Sequence, residues 1–330
     1  MKKIFIISLV FLFVFTFSVN SLYAVQLNLA TPDPEDSPVT NASRHFAELV
    51  EEKTNGEVTI EVFPDGVLYA GTPTDAVNQL EAGSIDILIN CTSLYPPFDD
   101  RFSTVSIPFL FDDVDQMMAY LNDEPGDILA EGLSEFNINV LSYWPREPRH
   151  LTSNRPIKEV SDFEGFQLRT PESPLWIEFF QAVGADPTPM DFAEVYNALQ
   201  LDTIDGQENP LGVPYSASFY EVQDYLTLTG HIMVSWVAGI NQDVFDSLSE
   251  EHQMAIEEAA FETQSWMREF NRDMTDYYLT ALEEEGMEII EPSQEFVDEL
   301  SSIASEIYPA FESLVGEEFL NITLDWLESN

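Results

Sequence analysis

Between Arg146 and Arg169 the chain concentrates positive charge: Arg146, Arg149, Arg155, Lys158 and Arg169 fall within 24 residues. The whole sequence of 330 residues has 12 Lys and Arg against 60 Asp and Glu, a formal net charge of −48. Cations this scarce and this clustered point to an anion. An arginine offers a planar fork of donors that meets a carboxylate in two parallel hydrogen bonds. The competing use of Arg169 is an internal salt bridge with one of the 60 acids.

The surrounding pattern says what must hold Arg169. Phe166 and Leu168 alternate with Gln167 and Arg169, the period of two of a half-buried strand. Thr170-Pro171 ends that strand, since proline cannot extend a ladder. Ser173 is placed to cap a helix with Pro174 at its first position and Gly184 at its close. Arg169 thus projects from a strand end just before a strand-to-helix loop, where open α/β sheets bind ligands. Asp191 and Glu194 have capping-box spacing ahead of a helix beginning near Phe192. Ile204 to Asn209 reads as a short strand that delivers Asn209 to the same crevice.

The pieces TSNRPI, the strand end GFQLR, VGADPTPMDFAEVYNALQ and DGQENP occur in that order and spacing. Together they resemble the solute-binding subunits of TRAP (tripartite ATP-independent periplasmic) transporters, the DctP family. The resemblance is dense from Arg149 to His231 and colinear over the rest of the mature chain. It implies an α/β, two-lobed periplasmic-binding-protein-like fold with a hinge and one long helix spanning both lobes. It also implies that Arg169 clamps a substrate carboxylate with Asn209 beside it. Arg149 makes a second contact and Phe192 forms part of the pocket wall. The implied partners are a small organic acid and the small and large integral membrane subunits of the transporter, with no cofactor or metal. Family ligands include dicarboxylates, sugar acids such as hexuronates, sialic acid and other carboxylates.

Lys2 and Lys3 precede an apolar run from Ile4 to Phe17, then SVNS and LYA, the pattern of an export signal over residues 1–24. Its removal takes the charge from −48 to −50 and leaves 306 residues, enough for two domains. Cys91 is the single cysteine and forms no internal disulfide. A charge this negative argues against nucleic acid or anionic membrane as partner. It suits a saline habitat, and it requires a local positive field if an anion is to bind. A periplasmic monomer is expected, with no membrane insertion after cleavage.

From Val25 to Ile89 the order is β-α-β-α-β, which predicts a parallel sheet with right-handed crossovers. Its third strand, Ile85–Ile89, leaves Asn90 and Thr92 in the following loop, where they either hydrogen-bond ligand hydroxyls or satisfy their own backbone. Alternation restarts beyond Trp144. His231, at a turn after the strand Tyr225–Thr229, either faces the ligand or is a structural histidine. Ser249 to Glu285 holds one helical pattern of 37 residues, roughly 55 Å long. The expected organisation is 25–145 plus about 235–275 for lobe I and 146–234 plus about 276–330 for lobe II, with the terminal helices on lobe II.

Two function classes remain. One is a binding protein that closes on an organic anion, a sugar acid first and a C4-dicarboxylate second. The other is an exported enzyme acting on an acidic substrate. No nucleophile elbow, P-loop, dinucleotide fingerprint or zinc-ligand spacing occurs.

Overall fold

The computed structural model describes residues 24–69 and 71–330, so the expected export signal lies almost wholly outside the described residues. In chain order the regular elements begin with β1 (Val25–Ala30), α1 (Pro38–Lys53), β2 (Val58–Phe63), α2 (Pro73–Glu81), β3 (Ile87–Cys91), α3 (Val114–Leu121), α4 (Glu124–Ser134) and β4 (Ile138–Pro145). They continue with β5 (Arg149–Ser153), β6 (Gln167–Thr170), α5 (Pro174–Ala182), β7 (Asp186–Pro189), α6 (Phe192–Gln200), β8 (Gly206–Pro210), α7 (Gly212–Ser216), β9 (Tyr225–Ile232) and β10 (Ser235–Asn241). The chain closes with α8 (Gln242–Asp246), α9 (Glu250–Glu284), β11 (Glu288–Ile290), α10 (Gln294–Val315) and α11 (Glu317–Ser329).

Two sheets result, one in each lobe. The first runs β2-β1-β3-β10-β4 and the second β11-β9-β5-β8-β6-β7. In the first, β1 pairs in parallel with β2 and β3, as the β-α-β-α-β pattern requires. All five residues of β3 are buried, as in a strand covered on both faces, with Asn90 the one polar member. The first two helices are capped by their own side chains: Ser37 accepts from the Thr40 amide, and Thr72 with Asp75 forms a full capping box.

Three features depart from the sequence reading. β10 inserts antiparallel between β3 and β4, so the first sheet is mixed where an all-parallel one was expected. β5 and β7 are strands without apolar alternation. β5 sits mid-sheet between β8 and β9, and its buried Thr152 is satisfied by Gln207 and Gln223. β7 contains Pro187 and Pro189 and pairs only with β6, at the sheet edge, the place where proline is tolerated. Finally, α11 packs on the first lobe: Tyr120 and Thr323 hydroxyls are 2.8 Å apart and the Trp326 indole donates to Asp123 at 2.8 Å. The placement of all terminal helices on the second lobe is thereby corrected for Glu317–Ser329.

The chain passes between the sheets at 146–148 and at 233–234, and α9 runs along both lobes. Its 35 residues extend roughly 50 Å. The first half is fixed to the first lobe, where Trp144 Nε1 donates to the Ala260 carbonyl at 3.0 Å. Its second half buries Tyr278 and Leu282 with Leu211, Leu226 and Met287 of the second lobe. The long helical pattern is therefore one element shared by both lobes.

Candidate ligand-binding cleft

A cavity of about 290 Å³ opens between the lobes. On the second-lobe side it is lined by Arg149, Arg169, Met190, Phe192 and Asn209, and on the first-lobe side by Asp33, Asp65, Tyr69, Asn90, Cys91 and Trp236. Arg146 and Glu172 also reach it. The volume is close to the small end of ordinary ligand pockets.

Parallel pairing places Arg169 of β6 beside Gln207 of β8 and Thr188 of β7. The β8 backbone can lie this close because residue 206 is glycine: a Cβ there would collide with the Thr152 carbonyl and the Phe166 ring. Arg169 is 4% exposed, and its Nε and Nη2 donate to the Met190 carbonyl at 3.1 and 2.8 Å. That anchor holds one edge of the fork. Among the described residues Nη1 has no hydrogen-bond partner and Arg169 makes no ion pair. Burial pulls its pKa down to about 10, with Glu208 opposing, so the group stays cationic at neutral pH.

Arg149 is differently placed. It pairs with Glu208 through Nε and through Nη2, the latter donating at 2.8 Å to Oε1, and its guanidinium lies 4.6 Å from the Trp176 ring centroid. Burial alone would raise Glu208, but Arg149's charge and hydrogen bonds outweigh it and hold the carboxyl below its usual range. Nη2 of Arg149 also donates to Asn209 Oδ1 at 3.1 Å, and Asn209 Nδ2 donates to Gln207 at 2.5 Å. One arginine is thus neutralised within its own lobe and orients the asparagine beside the cavity.

Phe192 opens α6 and packs 6.1 Å from Phe219, centroid to centroid, while lining the cavity. Asp191 and Ser173 occupy N-cap positions without a side-chain capping bond, so neither expected cap forms. Asn90 lies on β3 and lines the cavity, but donates to the Pro73 carbonyl at 2.8 Å and accepts from the Cys91 amide at 3.0 Å. Thr92 is not at the cavity wall: its hydroxyl donates to the Ser235 carbonyl at 3.2 Å and ties β10 to the turn after β3. His231 is also away from the wall, buried between Thr229 at 2.7 Å and Glu208 at 3.4 Å, with burial lowering its pKa. Neither side chain lines the cavity, so the alternative of a role inside the fold is the one their positions favour.

The first-lobe wall was largely missed from sequence. Arg146 stacks 4.1 Å from the Trp236 ring centroid and lies 3.7 Å from Asp33 Oδ2. Burial raises the Asp33 carboxyl, Arg146 and Arg149 pull it down, and Asp65 pushes it up again. In sequence Asp33, Asp65 and Trp236 are far apart, and the loops after β1 and β2 and the β10 insertion bring them together.

The family model for the bacterial extracellular solute-binding protein family 7 matches residues 29–314. The 2,3-diketo-L-gulonate-binding periplasmic protein of Escherichia coli is 34% identical over 275 residues, 83% of each chain. The sugar acid binding protein of Advenella mimigardefordensis, solved with galactonate, superposes with a TM-score of 0.88 at 30% identity, covering 93% of this chain and 98% of that one. A TRAP periplasmic solute-binding protein of Sulfurospirillum deleyianum, solved with succinate, gives a TM-score of 0.84 at 27% identity over 91% and 98% of the two chains. Among the described residues no helix is long and apolar enough to cross a membrane. The chain belongs to the bacterial extracellular solute-binding protein family 7, the DctP family of TRAP solute-binding proteins, whose members serve transporters and are not enzymes.

Proposed function

We propose that this protein is exported, captures a sugar acid such as a hexuronate or hexonate in the interlobe cavity, and presents it to TRAP membrane subunits. One observation carries the choice of ligand class. Of the three arginines at the cavity, Arg149 is paired with Glu208 and Arg146 lies beside Asp33, whereas Arg169 has no acid partner among the described residues. One unspent guanidinium suits one carboxylate. The opposite wall offers Asp33 and Asp65, which accept from hydroxyls and repel a second carboxylate. Relatives that bind a gulonate derivative and galactonate support the same reading, and the succinate binder keeps the dicarboxylate alternative in view.

In this reading Arg169 fixes the carboxylate through Nη1, with the spare donors of Arg149 and Asn209 assisting. Phe192 supplies an apolar face and Asn90 a remaining N–H. Closing the lobes removes water and strengthens the charge-assisted bonds. A thermal-shift screen of hexonates, hexuronates and short dicarboxylates on purified protein tests this. A ligand at 100 times its dissociation constant adds about 2.7 kcal/mol of stability. Stabilisation by succinate with none by any sugar acid would overturn the ligand class, and turnover of the bound acid would overturn the binding role.

A further inference from the structure

Beneath the cleft lies a second, much smaller cavity of about 20 Å³, whose wall includes Glu147, Trp236 and Asn271. All three side chains are at least nine-tenths buried: 5%, 2% and 8% exposed. Each carries one polar atom with no hydrogen-bond partner among the described residues, namely Glu147 Oε1, Trp236 Nε1 and Asn271 Oδ1. Their other polar atoms are anchored. Glu147 Oε2 accepts from the Gly212 amide at 3.2 Å, and Asn271 Nδ2 donates to the Pro145 carbonyl at 3.0 Å. The side chains are therefore held in place with one donor and two acceptors unanswered.

Buried polar groups in folded proteins are satisfied by protein or by ordered water, and an orphan is destabilising. A water needs roughly 10–15 Å³ and two to four polar partners. This cavity meets both conditions, and the arithmetic of donors closes: water accepts from the indole N–H and gives its two hydrogens to the two acceptors. We propose that a single structural water binds here, accepting from Trp236 Nε1 and donating to Glu147 Oε1 and Asn271 Oδ1.

The placement gives the site a role. Glu147 lies on the passage from β4 to β5, Trp236 just after the return from β9 to β10, and Asn271 on the helix shared by both lobes. One water therefore joins three of the segments that link the lobes: the two interstrand passages and the shared helix. Asp33, Arg146 and Trp236 line both this cavity and the ligand cleft, so the bridge also backs the first-lobe wall.

The test is a crystal structure of the wild-type protein at a resolution that shows ordered water. The expected result is one density peak roughly 2.7–3.2 Å from all three atoms. An empty cavity, or a direct bond between two of these side chains, overturns the proposal. An independent check is a double-mutant cycle of Trp236→Phe and Asn271→Ala read as thermal midpoints. If both substitutions disrupt the same water, the double variant loses about 2 °C or more less than the sum of the single losses. Strictly additive shifts overturn it.

Discussion

Arg149 and Glu208 form a buried ion pair inside the second lobe, with Nη2 of the arginine donating at 2.8 Å to both the Glu208 side chain and its carbonyl. The pair leaves Arg169, on the neighbouring β6, as the arginine at the cleft without an acid partner. A molecule with 60 acids thereby keeps one positive prong for an anionic guest.

Removing that prong should abolish useful binding. Truncating one partner of a buried charge pair costs ~2–5 kcal/mol, so Arg169→Ala weakens sugar-acid binding by roughly one and a half to three and a half decades. Arg169→Lys fails as well, because an ammonium cannot keep the Met190 carbonyl and grip a carboxylate with a fork. Calorimetry giving wild-type affinity for either variant would sink the assignment.

Glu208→Gln tests the ion pair. It leaves Arg149 buried without a counter-charge, which costs about 3–5 kcal/mol. Urea unfolding at pH 7 reads the loss directly, and an unchanged midpoint would show that Arg149 is neutralised by other means.

Asp33→Asn addresses ligand class. Losing this carboxylate weakens hydroxyl recognition and removes repulsion, so the ratio of sugar-acid to succinate affinity should fall by about tenfold or more, an energy of about 1.4 kcal/mol. Competition binding with both ligands measures it. An unaltered ratio would place Asp33 outside recognition.

Glu147 makes stability depend on pH. Burial raises its carboxyl from the usual 4.5 to about 7, with the Gly212 amide and Arg146 pulling the other way. Asp33 shares the small cavity, and Tyr278 has its hydroxyl pKa raised first by burial and then by Glu147. The folded state binds the proton more tightly than the unfolded one, so this group's contribution is intact below pH 4.5 and falls as pH rises to about 7. The full loss is roughly 3 kcal/mol. Glu147→Gln should remove that slope, gaining stability over wild type at pH 8 but not at pH 4.5. Parallel unfolding curves at both pH values would contradict this.

Much of the frame is legible in the residues. The β-α-β-α-β order from Val25 to Ile89 gives the first lobe's parallel strands, and the period-two segment ending at Arg169 gives β6. What escapes is non-local. β10 looks like any short apolar strand, and nothing in it says that its partners are β3 and β4, some 150 and 100 residues earlier. β5 hides because its buried faces are polar and satisfied across the sheet. In the cleft, Arg169 and Asn209 stand on elements of one colinear motif and are readable, whereas Asp33, Asp65 and Trp236 meet only after the chain has returned. Thr92 and His231 have ligand-like chemistry, and only packing reveals that their side chains lie off the cavity wall, on Ser235 and on Thr229 respectively.

The insertion of β10 also limits how this architecture can be dismantled. Severed near residue 145, the leading segment would expose the facing edges of β3 and β4 as bare templates for association with other chains. The two lobes are therefore not interchangeable modules: shuffling one half between relatives would require importing a distant strand, and a fragment made alone should aggregate.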